Sequence, residues 1–296
     1  MAKETSYRIG VDVGGSKVSA ALVTDQLEIV EKRSTATPQE DGEALFHVVK
    51  ELITDLMAVA QPLGVRGIGL GIPGKVDREA GIARYQMMIP WPNFPIVDRL
   101  QAYFSCPIVI DNDVAVAALA EYQERSVREE AVFSYVTVST GISSQNFVQG
   151  HLVRGQGFAG ELALVPVDYR KPDQLVQHFA SGTAIQERGQ DLLANPQLTT
   201  QDIFDRAKSG QAEAQRLIEE GAQVLAWSLY QLICFFDPDE IVLGGSVIIE
   251  QPYYLQATKT ALKAMLFSDQ EHVLDHIRAS HLGKDNGLLG AAALVD

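Results

Sequence analysis

Two short acidic stretches carry the residues of this chain best suited to chemistry. The first is Asp12-Val13-Gly14-Gly15-Ser16-Lys17, where the β-branched run Ile9-Gly10-Val11-Asp12-Val13 stops at a glycine pair and a second apolar run, 18–22, returns. That pattern is strand, tight turn and strand, a hairpin. A Walker-type phosphate loop would instead open a helix and space its glycines more widely. Backbone N–H groups of Gly15, Ser16 and Lys17 at such a turn can face an anion. The carboxylate of Asp12 beside them is useful chiefly if it holds a divalent cation or its waters. A plain hairpin that happens to turn on Gly-Gly fits the same residues. The second stretch is Asp111-Asn112-Asp113, between an apolar strand at 107–110 and an alanine-rich helix at 114–123. Open α/β sheets place ligands at such strand ends. A carboxylate there can take the proton of an attacking hydroxyl, and Asp is equally suited to capping a helix.

The surrounding elements follow from hydrophobic period. A third strand is expected at 27–30. Ala44, Leu45, Val48, Val49, Leu52, Ile53 and Leu56 place an amphipathic helix over 39–60, and VRGIGLGI at 65–72 is a buried strand ending at Pro73-Gly74. Residues 75–96 are rich in loop signals, and a short helix is expected at 97–103. The run Val132-Phe133-Ser134-Tyr135-Val136-Thr137-Val138 then enters Ser139-Thr140-Gly141 and a further apolar strand, repeating the opening hairpin about 125 residues later. This echo implies two halves on one plan, whose turns could hold the phosphates of one nucleotide. One long helix is expected over 202–236, broken by Asp237-Pro238-Asp239. The strand 240–243 then delivers Gly244-Gly245-Ser246, and a small-residue helix closes the chain at 287–293.

Composition excludes several classes. The chain has 296 residues, 46% of them apolar, enough for two domains with full cores. No run approaches the ~18–20 apolar residues needed to span a bilayer, and the opening six residues lack the apolar segment of a secretory leader. A formal charge of −14 argues against a nucleic-acid partner. Cys106 and Cys234 stand in apolar surroundings, which reads as reduced core thiols and a cytoplasmic setting.

Taken together, these motifs resemble the ROK family (repressors, open reading frames and sugar kinases) of the actin-like, hexokinase-like ATPase superfamily. Asp12 to Lys17 resembles its first phosphate motif. Gly71-Ile72-Pro73-Gly74 with Val76-Asp77 and Gly81 follows at the expected distance. Asn112-Asp113 and the alanines to Glu121 match the catalytic segment, and Ser139-Thr140-Gly141-Ile142 the second phosphate motif. Gly160-Glu161 matches the sugar-contacting pair, and Asp237-Pro238 with 241–245 the adenosine segment. The resemblance covers about 7–294. It implies an α/β protein of two ribonuclease-H-like domains with a central cleft, one formed by 1–118 with 287–296 and the other by 119–286. It further implies ATP- and Mg²⁺-dependent phosphorylation of a hexose or N-acetylhexosamine hydroxyl, the 6-hydroxyl by expectation. Asp113 would be the general base. Gly74, Asn112, Asp113, Glu161 and Gln177 would bind the sugar. Asp12, Gly14, Gly15, Ser16, Lys17, Thr140, Gly141, Gly244 and Gly245 would bind the nucleotide, with Asp12 holding Mg²⁺ through water or phosphate. A cytoplasmic homodimer is the family's usual state. A repressor is not expected, since the first strand begins by about Tyr7 and leaves no room for an N-terminal helix-turn-helix.

Three departures bear on that expectation. The zinc site of many ROK proteins uses one His and three Cys, and those positions fall on Leu164 and near Asp168, Arg170 and Leu175, so no zinc is expected. Leu164 and Gln177 replace the histidine and glutamate that read O1 and O2 of glucose, which favours an N-acetylhexosamine or a substituted glucoside. In the second phosphate loop, Ser143-Ser144-Gln145 replaces three glycines; Ala115 and Ser246 also depart from the pattern. These changes open an alternative, a non-catalytic paralogue that binds a sugar or nucleotide as a sensor or partner subunit.

Overall fold

The computed structural model describes residues 6–61, 64–85 and 89–295. Residues 1–5 of the opening stretch, 86–88 of the loop-rich segment and the final residue lie outside the described residues. The chain divides into two compact units, Met1–Glu124 with Lys284–Asp296, and Arg125–Gly283.

In the first unit, β1 (Tyr7–Val13) and β2 (Lys17–Thr24) form the expected antiparallel hairpin, extended by β3 (Ile29–Ala36). The third strand starts later than its apolar residues imply, because Leu27 takes φ 58° and turns the chain first. Helix α1 (Gly42–Val59) begins where the Asp41 carboxylate accepts from the N–H groups of Glu43 and Ala44. Its buried face, Leu45, Phe46, Val49, Leu52, Ile53 and Leu56, covers the sheet. Parallel strand β4 (Val65–Ile72) joins β1. The loop-rich segment contains a small hairpin, β5 (Lys75–Asp77) with β6 (Ile82–Tyr85), ahead of α2 (Ile96–Gln101). Then β7 (Ile108–Asn112) pairs parallel to β4 and leads directly into α3 (Asp113–Gln123), giving the sheet order β3-β2-β1-β4-β7.

The second unit repeats this order. Strands β8 (Phe133–Val138) and β9 (Ile142–Val148) form a hairpin, with β10 (His151–Leu152) at its edge. A 3₁₀ turn (Leu162–Leu164) and the pair β11 (Pro166–Asp168) and β12 (Lys171–Leu175) precede helices α4 (Gln177–Ala180) and α5 (Gly182–Leu192). The long helix expected over 202–236 is two, α6 (Thr200–Lys208) and α7 (Ala212–Phe236), because Gly210 takes φ 92° between them. Strand β13 (Glu240–Gly244) lies parallel to β8, helices α8 (Ser246–Glu250) and α9 (Pro252–Lys263) follow, and β14 (Ile277–Ala279) completes the order β10-β9-β8-β13-β14. Cys234 is exposed rather than a core residue: Leu232 and Ile233 face the core, which turns Cys234 and Phe235 outward on α7.

The chain then returns to the first unit as α10 (Asn286–Ala293). Close approach of backbones fixes this helix. A Cβ on Gly10 would overlap the Leu288 carbonyl, one on Gly69 the Ala291 carbonyl, and one on Gly290 the Val116 carbonyl of α3. The small residues of α10 therefore lock β1, β4 and α3 into one block. For the same reason α3 stays whole in the first unit, which runs to Glu124 rather than to 118.

Candidate active site

Strands β1, β4 and β7 run parallel and end at one edge of the first sheet, where the register aligns Asp12 with Gly71 and Gly71 with Asp111. Asp12 is half-buried at the end of β1. Burial, and then the nearby charge of Asp113, push its pKa up to about 6 against the opposing pull of Lys17 and Lys32. Its carboxyl lies against the first turn of α10: a Cβ on Gly287 would stand 3.1 Å from both Cγ and Oδ2 of Asp12.

The turn that follows supplies an anion cradle by a specific route. The carbonyls of Gly14, Gly15 and Ser16 are all engaged, accepting from Thr37 Oγ1 at 2.7 Å, Gln39 Nε2 at 2.5 Å and the Thr37 N–H at 3.0 Å. The Gly14 N–H closes the turn on the Lys17 carbonyl at 3.0 Å. Among the described residues nothing accepts from the N–H groups of Gly15 and Ser16. Oxygens are thus turned away and two donors left for a ligand. Neither glycine takes a positive φ, so what glycine provides here is the missing side chain.

Asp113 is the first residue of α3, yet it is not the cap. Asn112 is: its Oδ1 accepts from the N–H groups of Val114 at 3.0 Å and Ala115 at 3.2 Å. Its Nδ2 donates to the Gly74 carbonyl and to Asp113 Oδ1, both at 2.9 Å. All four hydrogen-bonding positions of this amide are used inside the protein. Gly74 needs its glycine, with φ 78°. Burial raises the Asp113 pKa above the ordinary carboxylate value, opposed by N–H groups of Val114 and of Asp113 itself and by the Asn112 amide. Asp111, which sequence reasoning gave no role, is buried with Oδ2 3.2 Å from Arg78 Nε and Oδ1 accepting the Asn112 N–H at 2.8 Å. Arg78 and Gly74 on the β5–β6 segment thus both grip the strand end that presents Asp113. An arginine in the turn between two short strands gave no sequence signal for that contact.

In the second unit, the turn Ser139-Thr140-Gly141 joins β8 to β9. The Ser139 N–H donates to the Gly141 carbonyl at 2.9 Å, its carbonyl accepts the Gly182 N–H at 2.8 Å, and its Oγ lies 2.9 Å from Ser246 Oγ. Thr140 and Gly141 are exposed. Beside this turn opens a polar cavity of about 350 Å³, lined by Thr140, Thr183, Gln186, Thr200, Gln201 and Ser246 among others. Gly244 and Gly245 are explained by packing: a Cβ on Gly244 would strike the Tyr135 ring and hydroxyl, and Gly245, at φ 85°, lies against the Val138 carbonyl.

Ser143, Ser144 and Gln145 are not in the turn. They belong to β9, paired with Thr137, Val136 and Tyr135, so they do not narrow a phosphate loop, and the ground for expecting an eroded one is removed. Glu161 is half-buried at the start of the 3₁₀ turn that follows Gly160. Leu164 and Gln177 flank Val165 and Val176, which are joined by a 2.9 Å hydrogen bond, so both stand at one end of the β11–β12 ladder. Leu164 is 50% exposed, and Asp168 and Arg170 form an ion pair at 3.0 Å. Among the described residues, no cluster of three or more His, Cys, Asp or Glu side chains could hold a metal, and no helix is long and apolar enough to cross a membrane.

Two sheets of the same strand order, each opening on a hairpin whose turn faces solvent, define the actin-like, hexokinase-like ATPase fold class. The ROK family model matches residues 8–296, and the chain belongs to that family. It is 31% identical to the N-acetylmannosamine kinase of Citrobacter koseri over 97% of this chain and 98% of that protein. It is 28% identical to the glucokinase of Halalkalibacterium halodurans over 98% of this chain and 94% of that one. The ROK hexokinase of Thermus thermophilus superposes with a TM-score of 0.85 at 30% identity, covering 98% of this chain and 97% of its own.

Proposed function

We propose that the chain is an ATP-dependent carbohydrate kinase acting on the 6-hydroxyl of a hexose or N-acetylhexosamine, with Asp113 as general base. The observation that carries this reading is the Asp113 carboxylate. It sits at the head of α3, is held by Asn112 Nδ2 at 2.9 Å, and has its pKa raised by burial. Burial makes such a carboxylate a stronger proton acceptor than an exposed one. The sugar oxygen attacks the terminal phosphorus as the bond to the ADP oxygen breaks, and the hydroxyl proton passes to Asp113.

The residues present fit Mg²⁺. One carboxylate beside two open N–H donors suits an ion that keeps most of its waters and takes phosphate oxygens as its other partners. Asp12 would hold it through water or phosphate; when bound it supplies charge neutralisation for the phosphates. Gly15 and Ser16 N–H groups would bind phosphate, assisted by the Lys17 charge. Thr140 and Gly141 would do the same from the second unit, with the nucleoside in the 350 Å³ cavity. Gly74 fixes Asn112, and Asn112 fixes Asp113. Glu161 would accept from a sugar hydroxyl, and Leu164 with Gln177 would face the substituent at C2, an apolar and amide pair suited to an N-acetyl group. The Citrobacter koseri relative supports that preference by name. A cytoplasmic homodimer belongs to the same reading.

The test is ADP release with ATP and Mg²⁺ over glucose, mannose, fructose, N-acetylglucosamine, N-acetylmannosamine and a β-glucoside. Fastest turnover is expected on an N-acetylhexosamine. Asp113→Asn should lower kcat by about 10²–10⁴-fold while calorimetry still detects the sugar. A mutant that keeps its kcat removes Asp113 as the base, and a wild type inert on every sugar refutes the kinase.

A further inference from the structure

The family pattern has a glycine where this chain has Ser144, and the structure shows what the added side chain does. Ser144 is 1% exposed, on β9, three residues beyond Gly141 at the end of the second turn. Its N–H donates to the Gly160 carbonyl at 2.8 Å and its Oγ donates to the same oxygen at 3.0 Å. The Leu162 N–H reaches that oxygen as well, at 2.7 Å. One carbonyl therefore takes three donors, two from Ser144 and one from Leu162. Gly160 is held at φ 88°, where a Cβ would overlap the Ser144 carbonyl, so the two backbones are in direct contact.

We infer that Ser144 is a positioning residue that fixes the Gly160–Glu161 peptide and so aims the Glu161 carboxylate at the sugar. This rests on the proposal that Glu161 is a sugar ligand. The physical case is one of torsional freedom. Glycine at φ near 90° has a broad energy well, and two backbone donors, the N–H groups of Ser144 and Leu162, leave its peptide plane some freedom to rock. The buried Ser144 hydroxyl adds a third donor and narrows that freedom. The next residue's Cα–Cβ bond is set by that plane, so a rocking peptide would move the Glu161 carboxylate by a fraction of an ångström to an ångström. That is enough to weaken a charge-assisted hydrogen bond. The hydroxyl is also shielded from solvent, Ser144 being buried.

The experiment is a double-mutant cycle in the full-length protein with Ser144→Ala, Glu161→Ala and the pair. Steady-state kinetics use whichever of N-acetylmannosamine and glucose the wild type turns over faster. Ser144→Ala is expected to raise the sugar KM about three- to tenfold, the loss of one hydrogen bond's worth of ordering, with KM for ATP unchanged and the thermal midpoint within a few degrees. In the Glu161→Ala background the same substitution should change the sugar KM less than twofold, because the residue it aims is gone. Ser144→Thr, which keeps the hydroxyl, should hold the sugar KM near wild type. A Ser144→Ala protein with unchanged sugar KM, or one whose effect persists in full without Glu161, overturns the inference. If Glu161→Ala itself leaves the sugar KM unchanged, the sugar-ligand reading fails and takes the inference with it.

Discussion

Asp12 should destabilise the protein it serves. Its carboxyl is enclosed by the end of β1, the first turn of α10 at Gly287 and the neighbouring charge of Asp113, and its pKa moves from the ordinary 3.8 to about 6. Folding therefore raises its proton affinity, so the folded state binds its proton more tightly than the unfolded chain does. The sign follows: stability from this group is highest below pH 3.8, falls as pH rises through the window from 3.8 to about 6, and stays reduced above it. At 1.36 kcal/mol per pKa unit the full loss is at most about 3 kcal/mol. Asp12→Asn keeps the shape and removes the charge, so it should be more stable than wild type by up to that amount at pH 8. With a urea m-value of about 2 kcal/mol/M, the midpoint should rise by roughly 1–1.5 M. The readout is built in, since Trp91 is fully buried in the first unit and Trp227 lies in the second. In a Trp227→Phe background, urea titrations followed by Trp91 fluorescence, without Mg²⁺ or nucleotide, would be run at pH 8, 6.5, 5 and 4. The gap between the two proteins should be full at pH 8 and close towards pH 4, and the variant should have lost phosphoryl transfer. A variant no more stable than wild type at pH 8, or a gap that ignores pH, would refute the reasoning.

Other perturbations probe the same block. Gly69→Ala places a methyl into the Ala291 carbonyl; backbone cannot step aside, so a loss above about 3 kcal/mol is expected, seen as a lowered first-unit urea midpoint. Gly287→Ala is milder, its methyl 3.1 Å from the Asp12 carboxyl. It should fold, and should raise the Mg²⁺ concentration needed for half-maximal rate several-fold while leaving the sugar KM alone. The acid limb of kcat/KM reports the free enzyme's base. Burial raises the Asp113 pKa, so activity should be present above that pKa, be lost as pH falls through it, and show its limb above the pH 3.8 of an ordinary aspartate. Filling the 350 Å³ cavity with Thr183→Trp should raise the KM for ATP at least tenfold and spare calorimetric sugar binding.

Local patterns were legible wherever the physics is local. Period-two alternation located both hairpins, and the run of Leu, Val and Ile at helical spacing located α1. The polar triplet after an apolar strand marked Asp113 as a base or a helix cap, and the structure gives the cap to Asn112. What the sequence concealed depends on contacts far along the chain. A glycine announces that a side chain is unwelcome, and leaves unsaid what excludes it. Gly15 leaves the N–H groups of the turn uncovered for a ligand, while Gly14 makes room for the Lys17 carbonyl. Gly244 and Gly245 make room for Tyr135 and the Val138 carbonyl, partners more than a hundred residues earlier. Gly10, Gly69 and Gly290 admit the backbone of another element, and Gly210 bends one helix into two. The converse error concerned Ser143-Ser144-Gln145. Read as lost glycines in a phosphate loop they imply a failing enzyme, whereas in strand β9 they carry ladder hydrogen bonds and a latch on Gly160. Whether a missing glycine damages a site depends on which side of the turn it falls, and that boundary, Gly141 against Ile142, is set by the pairing of β9 with β8. A substitution that looks like decay in a motif can therefore be a strand residue with a buried hydrogen bond of its own.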